Sequence, residues 1–247
     1  MRLLTSLVLL FSGGVAEARL FDINKESVAP YFTLMGGPSG VGKSGYENEA
    51  SNITVSGDSK YVYGGEFGAV VSTRPMNLTF GIEFLKPNSV AGFSGVDTGG
   101  TQVYSGDSDI LGYAPKVGIE LNLHGDNESR SFVSASLGYV SVTLKNSYTL
   151  TAAGTAAYPG VATMIESKGT ATEITAGLGY EGVLSEQTTY VFQFGYRQLR
   201  FDNLKYSHDY NTFNGAVSSG DTVKNGASNR ELNLSGGYLS LGFRFYM

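Results

Sequence analysis

Apolar and polar residues alternate along eight stretches of this chain, with the period of two that is typical of half-buried β-strands. The clearest stretch is the run Leu78-Thr-Phe-Gly-Ile-Glu-Phe84, whose four apolar residues share one face. The eight stretches are residues 30–37, 61–71, 78–84, 110–123, 132–144, 172–183, 190–197 and 239–246. This pattern predicts an all-β protein built from eight strands.

The connections between these stretches alternate strictly between short and long. The short connections are residues 72–76, 124–130 and 185–188, and the long polar ones are residues 43–60, 87–108, 145–169 and 201–230. In an antiparallel up-and-down barrel, this order puts every long loop at one end and both termini at the other. We therefore predict one eight-stranded antiparallel barrel with four long, mobile loops and three short turns.

Charged residues lie on the polar face of six of the predicted strands, which indicates one shared interior. An eight-stranded barrel is just wide enough for side chains to fill it, and unpaired buried charges are costly. We therefore expect acids and bases at similar height to pair across the lumen, as a structural or a gating network, with glycines on the same face leaving room. The predicted lumen network comprises Glu66, Glu83, Lys116, Glu120, Glu181, Arg197 and Arg244.

The apolar face ends in tyrosine and phenylalanine on several strands, as in the interfacial girdles of membrane barrels. The residues concerned are Tyr113, Tyr139, Tyr180, Tyr190, Tyr196 and Phe245. This arrangement predicts that the apolar face meets lipid. A soluble lipocalin-like barrel has the opposite polarity, with its apolar face inside, and is the alternative.

Composition narrows the possible functions. The chain has 34 Gly, no Trp and only 16% charged residues, which fits an all-β structure better than a helical one. It has no Cys and only 2 His, which argues against a disulfide framework, a thiolate zinc site or a multi-histidine metal site, and we predict no cofactor. A net charge of −5 argues against nucleic acid as a partner.

The N-terminus has the features of a secretory signal. Arg2 precedes an apolar stretch that is too short for a membrane helix, and Ala16-Glu17-Ala18 places small residues where a signal peptidase cleaves. We predict a signal peptide over residues 1–18 and a barrel domain over residues 19–247.

With these features the chain resembles the small eight-stranded outer-membrane barrels of Gram-negative bacteria, the class of the OmpA transmembrane domain, OmpX and the opacity-type surface antigens. Its last strand, Tyr238-Leu-Ser-Leu-Gly-Phe-Arg-Phe-Tyr-Met247, resembles the terminal signal of that class but ends in Met rather than in an aromatic residue. The resemblance implies an outer-membrane location with the long loops outside and the short turns in the periplasm. It also implies outer-membrane lipid, lipopolysaccharide and the barrel-assembly machinery as partners, the last through the C-terminal strand.

Two motifs suggest other chemistry. The segment Gly37-Pro-Ser-Gly-Val-Gly-Lys43-Ser44 matches the P-loop pattern, but no helical pattern follows it, so we interpret it as a flexible Gly-rich exit from the first strand. His208-Asp209 could form a hydrolytic or metal-binding pair on a long loop. We predict a structural, adhesive or surface-antigen role without enzymatic activity and with a possible extracellular partner at the loops. A narrow channel gated by the lumen charges and a lipid-modifying or proteolytic enzyme are the alternatives.

Overall fold

The computed structural model describes residues 28–42, 53–56, 59–73, 75–225 and 228–246. The predicted signal peptide, most of the first long loop, and Lys43 and Ser44 of the P-loop pattern lie outside the described residues.

The described chain consists almost entirely of antiparallel strands with one short helix. The elements, in chain order, are β1 (Val28–Gly42), β2 (Thr54–Ser56), β3 (Ser59–Thr73), β4 (Met76–Pro87), β5 (Val90–Val96), β6 (Gln102–Gly125), β7 (Ser129–Leu150), α1 (Ala152–Ala157), β8 (Met164–Ser185), β9 (Thr188–Gln198), β10 (Arg200–Phe201), β11 (Lys205–Tyr206), β12 (Tyr210–Thr212), β13 (Gly215–Val217), β14 (Lys224–Asn225), β15 (Ser228–Asn229), β16 (Leu232–Asn233) and β17 (Gly236–Phe245). No helix among the described residues is long and apolar enough to cross a membrane.

Eight of the described strands close into one ring. The order around the ring is β1, β3, β4, β6, β7, β8, β9 and β17, and β17 returns to pair with β1, where Tyr31 lies opposite Arg244. Short turns join β3 to β4, β6 to β7 and β8 to β9, while the other connections are long. The predicted barrel, its eight strands and its alternation of turns and loops are confirmed.

The outer surface of the barrel carries a continuous belt of exposed apolar side chains. Aromatic residues border the belt at both ends, with Tyr113, Tyr139 and Tyr196 towards the long loops and Tyr180 and Phe245 towards the short turns. The core of the belt includes Leu34, Phe67, Phe80, Ile82, Phe84, Val117, Leu121, Leu137, Ile174, Leu178, Phe192, Phe194, Leu239 and Leu241, each between 41% and 57% exposed. The apolar face of the strands therefore points outwards.

Three strands are much longer than the sequence pattern predicts. β6 begins at Gln102 rather than near residue 110, β7 runs to Leu150, and β8 begins at Met164. Residues 102–108, 145–150 and 164–169 of the predicted loops 87–108 and 145–169 are therefore strand. β5, β2 and β11 pair with this raised part of the sheet and extend it. Thr151 ends the extension by accepting a hydrogen bond from Gly154 N at 3.1 Å, which caps α1.

Above the belt the polarity of the two faces of the strands inverts, so that apolar side chains lie on the inner face and polar ones on the outer face. On β7, Leu137 and Tyr139 point outwards, whereas Val140, Val142 and Leu144 are buried inside. The outer face meets water beyond the belt, so the apolar residues turn inwards there.

This inward face packs against the last long connection to form what we call the head: β2, β5, α1, residues 102–110 and 140–170 of the long strands, and residues 199–234. The buried core of the head includes Phe93, Tyr104, Leu144, Tyr148, Ile165, Leu199, Phe201, Leu204, Phe213, Leu232 and Leu234. The described segments of the four predicted loops share one hydrophobic core, which the sequence pattern did not predict.

Candidate functional site: the lumen charge network

The lumen holds two clusters of charged side chains, and the upper cluster is centred on Glu83. Lys116 Nζ lies 2.6 Å from Glu83 Oε2, 3.2 Å from Glu66 Oε2 and 3.6 Å from Glu173 Oε1. Arg197 donates from Nε to Glu173 Oε1 at 2.8 Å and from Nη2 to Glu83. Three carboxylates therefore share two cations in the middle of the barrel.

Strand register explains why a cation is needed there. Glu66 and Glu83 lie directly opposite each other on β3 and β4, and like charges in that position repel. Lys116 reaches both carboxylates from β6, the next strand around the ring. Gly138 on β7 leaves the space for this lysine, because a Cβ atom at Gly138 would lie 3.0 Å from Lys116 Cγ.

The lower cluster, near the short turns, pairs two arginines with two glutamates. Arg130 Nη2 lies 2.7 Å from Glu120 Oε2, and Arg130 Nε donates to Glu181 Oε2 at 2.8 Å. Arg244 Nη1 lies 2.7 Å from Glu181 Oε2, and its Nη2 donates to Glu120. Tyr246 donates to Glu181 Oε1 at 2.8 Å, so both carboxylates are held by several donors.

The structure places all seven predicted lumen residues in these two clusters. Glu66, Glu83, Lys116 and Arg197 belong to the upper cluster. Glu120, Glu181 and Arg244 belong to the lower one. Whether the network is structural or gating stays a prediction.

The sequence interpretation missed two charged members of the network and one tyrosine. Arg130 was assigned to the turn 124–130, but β7 begins at Ser129 and its alternation points Arg130 inwards. Glu173 lies on the same face of β8 as Thr175 and Gly177, and that parity was available in the sequence. Tyr31, which donates to Glu66, was also missed.

The lumen leaves little space around the clusters. A polar cavity of about 70 Å³, bordered by Lys116, Glu120, Ser134, Gln193 and Arg244 among others, lies between the upper and lower clusters and has room for a few water molecules. Above the upper cluster the interior becomes apolar, with Leu85, Ala114 and Val140 buried beneath the head.

Interior and exterior now have opposite polarity to those of a water-soluble barrel. Charged side chains fill the lumen, whereas large apolar side chains stay exposed around the whole ring, an arrangement that is stable only when lipid surrounds the wall. The protein is an outer-membrane β-barrel. The lipocalin-like alternative requires the reverse polarity and is wrong. The belt lies in the hydrocarbon layer, with the head at the end of the long loops and the short turns at the other end.

Comparison with solved structures shows similarity to other outer-membrane barrels. The chain is 9% identical to the outer membrane protein OprG from Pseudomonas aeruginosa, with 92% of this chain and 99% of that chain covered and a TM-score of 0.44. It is 11% identical to Ail, the attachment invasion locus protein of Yersinia pestis, with 90% and 99% covered and a TM-score of 0.42. It is 7% identical to the outer membrane protease OmpT from Escherichia coli, with 93% and 99% covered and a TM-score of 0.46.

At these identities and TM-scores the similarity concerns fold alone, and the assignment to the membrane rests on the belt and the lumen. No protein-family model matches the sequence, and no curated protein matches it either.

The two other candidate motifs lie apart from the lumen clusters. Residues 37–42 of the P-loop pattern belong to β1, where Gly37, Pro38 and Gly42 pair with β3 across a register shift, so this part is a strand rather than a flexible exit. His208 Nδ1 lies 3.3 Å from the hydroxyl of Tyr210, and Asp209 accepts a hydrogen bond from Ser219 N at 2.7 Å. The described part of the chain contains no group of three or more His, Cys, Asp or Glu residues placed to hold a metal ion.

Proposed function

We propose that the protein anchors a folded head at the cell surface, and that the head serves a structural, adhesive or antigenic role. The observation that carries the proposal is the hydrophobic core above the membrane. Long loops that only connect strands do not need such a core, whereas a surface that binds a partner gains affinity when it is ordered beforehand.

Aromatic packing gives the head much of its order. The ring centroids of Tyr104 and Tyr148 are 5.2 Å apart, and Phe213 lies 4.8 Å from the first ring and 5.1 Å from the second. Such pairs contribute about 0.5–1.5 kcal/mol each beyond the burial of area. Because Phe213 comes from the last long connection, this cluster ties that connection to β6 and β7.

Attachment of whole cells tests the adhesive form of the role. We expect Gram-negative cells that display the protein to bind cultured epithelial cells or purified matrix proteins better than cells carrying an empty vector. Replacement of residues 210–217 by a Gly-Ser linker of equal length should reduce attachment to the level of the vector cells. The same replacement of residues 126–128, in a periplasmic turn, should leave attachment at the wild-type level. Both variants must keep a folded band that shifts on boiling. Equal attachment of wild-type and vector cells would count against adhesion.

The filled lumen supports a role without transport. The network contains five carboxylates and four cations in direct contact, whereas selective pores line their walls with one sign of charge. In planar bilayers we expect negligible conductance from the wild type and from Arg197→Gln with Arg244→Gln, because the apolar layer above the network is unchanged. Conductance that the double substitution alters would favour the channel instead.

The enzymatic alternative has a direct test at the head. His208 contacts Tyr210 on the extracellular side, where an enzyme acting on lipid would need its catalytic group. We expect His208→Ala to leave the lipid A profile of expressing cells and the cleavage of added peptides the same as with the wild type. A change in either would establish catalysis.

Outer-membrane lipid around the belt and assembly machinery at β17 complete the proposed partners.

A further inference from the structure

One outer wall of the protein shows an ordered change from apolar to basic side chains. β7 and β8 pair along this wall, and residues that lie opposite each other point to the same side. From the middle of the membrane upwards, the outward pairs are Leu137 with Ile174, Tyr139 with Thr172, Ser141 with Thr170, Thr143 with Lys168, and Lys145 with Glu166. The wall therefore passes from apolar to aromatic, then to hydroxyl and then to charged groups.

Three lysines meet at the top of this wall. Lys145 Nζ and Lys168 Nζ lie 3.4 Å and 3.1 Å from the two oxygens of Glu166, so both amines converge on one carboxylate. Lys205 on β11 lies directly opposite Lys168 and is exposed on the same side. With Glu166 included, this lysine cluster carries a formal charge of +2 in a chain whose net charge is −5.

A shallow apolar groove lies lower on the same side of the barrel. Its volume is about 380 Å³, and its lining comes mainly from β4, β6 and β7, with Phe80, Val117 and Leu137 among the residues, while β8 contributes Ile174. The groove faces the hydrocarbon layer and fits an acyl chain.

We propose that this wall is a binding site for a phosphorylated glycolipid of the outer leaflet, lipopolysaccharide. An acyl chain occupies the groove, sugar hydroxyls contact Ser141, Thr170 and Thr143, and a phosphate contacts the lysine cluster. Lys168 lies four residues above Thr172, which at ~3.3 Å per residue and a tilt of ~45° is about 9 Å above the girdle. That height corresponds to the headgroup layer.

The neighbouring wall lacks this arrangement. On β6 the outward residues above Tyr113 include Leu111, Asp109 and Asp107. Asp109 holds Lys86 in an ion pair and lies directly opposite Lys145, at the edge of the lysine cluster. Two carboxylates would repel a phosphate at that position. Of these two walls, the one formed by β7, β8 and β11 therefore carries the positive charge that binds a phosphate.

Glu166 acts as an internal competitor for the lysines. Partial burial alone would raise the pKa of Glu166, but hydrogen bonds from Lys168 and Lys145 outweigh it, so the pKa lies below its usual range. The side chain is therefore a carboxylate at neutral pH and occupies the amines that a phosphate would use. Replacing it with a neutral residue should strengthen binding, which a purely structural role of the ion pairs would not produce.

Affinity measurements on the refolded full-length chain in detergent test the site, with lipid A, dephosphorylated lipid A and phosphatidylglycerol as probes. A lysine near an anionic headgroup is worth about a fivefold change in affinity. We expect Lys145→Gln/Lys168→Gln/Lys205→Gln to bind lipid A at least tenfold more weakly. The control triple Lys60→Gln/Arg200→Gln/Lys224→Gln removes the same charge without releasing Asp109, the cross-strand neighbour of Lys145, and should stay within twofold of the wild type. Glu166→Gln should bind more tightly.

Three results would overturn the proposal, and none depends on whether the head is an adhesin. Equal weakening by the two triple variants would mean that only net charge matters. Equal affinity for lipid A and its dephosphorylated form would show that the phosphate makes no contact. Equal affinity for lipid A and phosphatidylglycerol would show that the site does not recognise a glycolipid. If the first triple does not fold, Glu166→Gln decides alone, and unchanged or weaker binding by that variant rejects the site.

Discussion

At the scale of single residues, Arg130 is the most demanding test of the lumen network. It is 3% exposed and contacts both carboxylates of the lower cluster. Arg130→Gln would leave Glu120 and Glu181 with Arg244 as their remaining cation. Removing one partner of a buried ion pair typically costs about 3–5 kcal/mol, because the other charge stays buried. We expect a loss of that size in the free energy of unfolding, measured by urea titration in lipid vesicles.

The matched control for Arg130 is Arg200→Gln. Arg200 also contacts two carboxylates, those of Asp202 and Glu231, but its side chain is 52% exposed in the head. Ion pairs this exposed are screened by solvent and contribute little to stability, so we expect a much smaller loss than for Arg130→Gln. Similar losses from the two substitutions would show that the lower cluster is not a tightly packed network.

Gly179 gives a prediction about packing rather than charge. A Cβ atom at Gly179 would lie 2.2 Å from the ring of Phe132, whose face lies 5.0 Å from the guanidinium of Arg130. Gly179→Ala must therefore displace a rigid ring, and overpacking of this kind costs about 1–3 kcal/mol. Gly237→Ala is the control, since its nearest atom outside its chain neighbours would be 3.8 Å away. Equal unfolding midpoints for both variants would contradict the prediction.

Parity along a strand is what made the lumen residues predictable. Glu83 and Arg244 could be assigned to the interior because each lies between apolar neighbours that point to the other face. Arg130 could not be assigned once the strand was started three residues too late, at Phe132. Partners such as Arg197 with Glu83 come from β9 and β4, and no local pattern specifies a contact over that distance in the chain.

At the scale of elements, the sequence contained a signal for the head that period-two alternation alone does not use. In β7 the apolar residues change from odd to even positions between Tyr139 and Val140, while the even positions face inwards along the whole strand, so the apolar side chains pass from the outer face to the inner one. Such an inversion marks the level at which lipid gives way to water outside the wall. The head core itself was not predictable, because it requires residues 199–234 to fold back onto β6, β7 and β8.

Leu144 tests whether this inversion holds the head together. The side chain is 1% exposed within the head core, and Leu→Ala in such a place costs about 2–5 kcal/mol. We expect Leu144→Ala to make the head sensitive to protease added outside intact cells, while the barrel keeps its shift on boiling. Ser147→Ala, on the exposed face of the same strand, should stay as resistant as the wild type. A Leu144→Ala head that resists cleavage equally well would argue against a cooperative core.

The turn between β6 and β7 gives a pH-dependent prediction. Backbone N–H groups of Glu128 and Ser129 donate to Asp126 Oδ1 at 2.9 and 2.7 Å and lower the pKa of this carboxyl below 3.8. A carboxyl whose pKa is lower in the folded state than in the unfolded state stabilises the fold at every pH above the unfolded-state pKa. That stability is lost as the pH falls through the folded-state pKa.

We therefore expect the urea midpoint to fall below about pH 4 in the wild type. The decline should be smaller in Asp126→Asn, whose amide oxygen accepts the same bonds at every pH. Glu186→Gln removes a charge from the next periplasmic turn, and its urea midpoint should change with pH in the same way as that of the wild type. An Asp126→Asn profile identical to the wild-type profile would assign the acid sensitivity to other groups.

At the scale of the whole molecule, belt, lumen and head together determine the orientation of the protein in the membrane. The raised head would lie in the periplasm if the chain were inserted the other way, so topology can be tested without knowledge of any ligand. An epitope inserted between Gly99 and Gly100, in the exposed turn before β6, should be labelled by antibody on intact cells. The same epitope between Glu186 and Gln187 should be labelled only after the outer membrane is permeabilised. Both tagged proteins should fractionate with the outer membrane and shift on boiling, since neither insertion touches the ring, and the reverse labelling pattern would place the head and its lysine cluster on the periplasmic side.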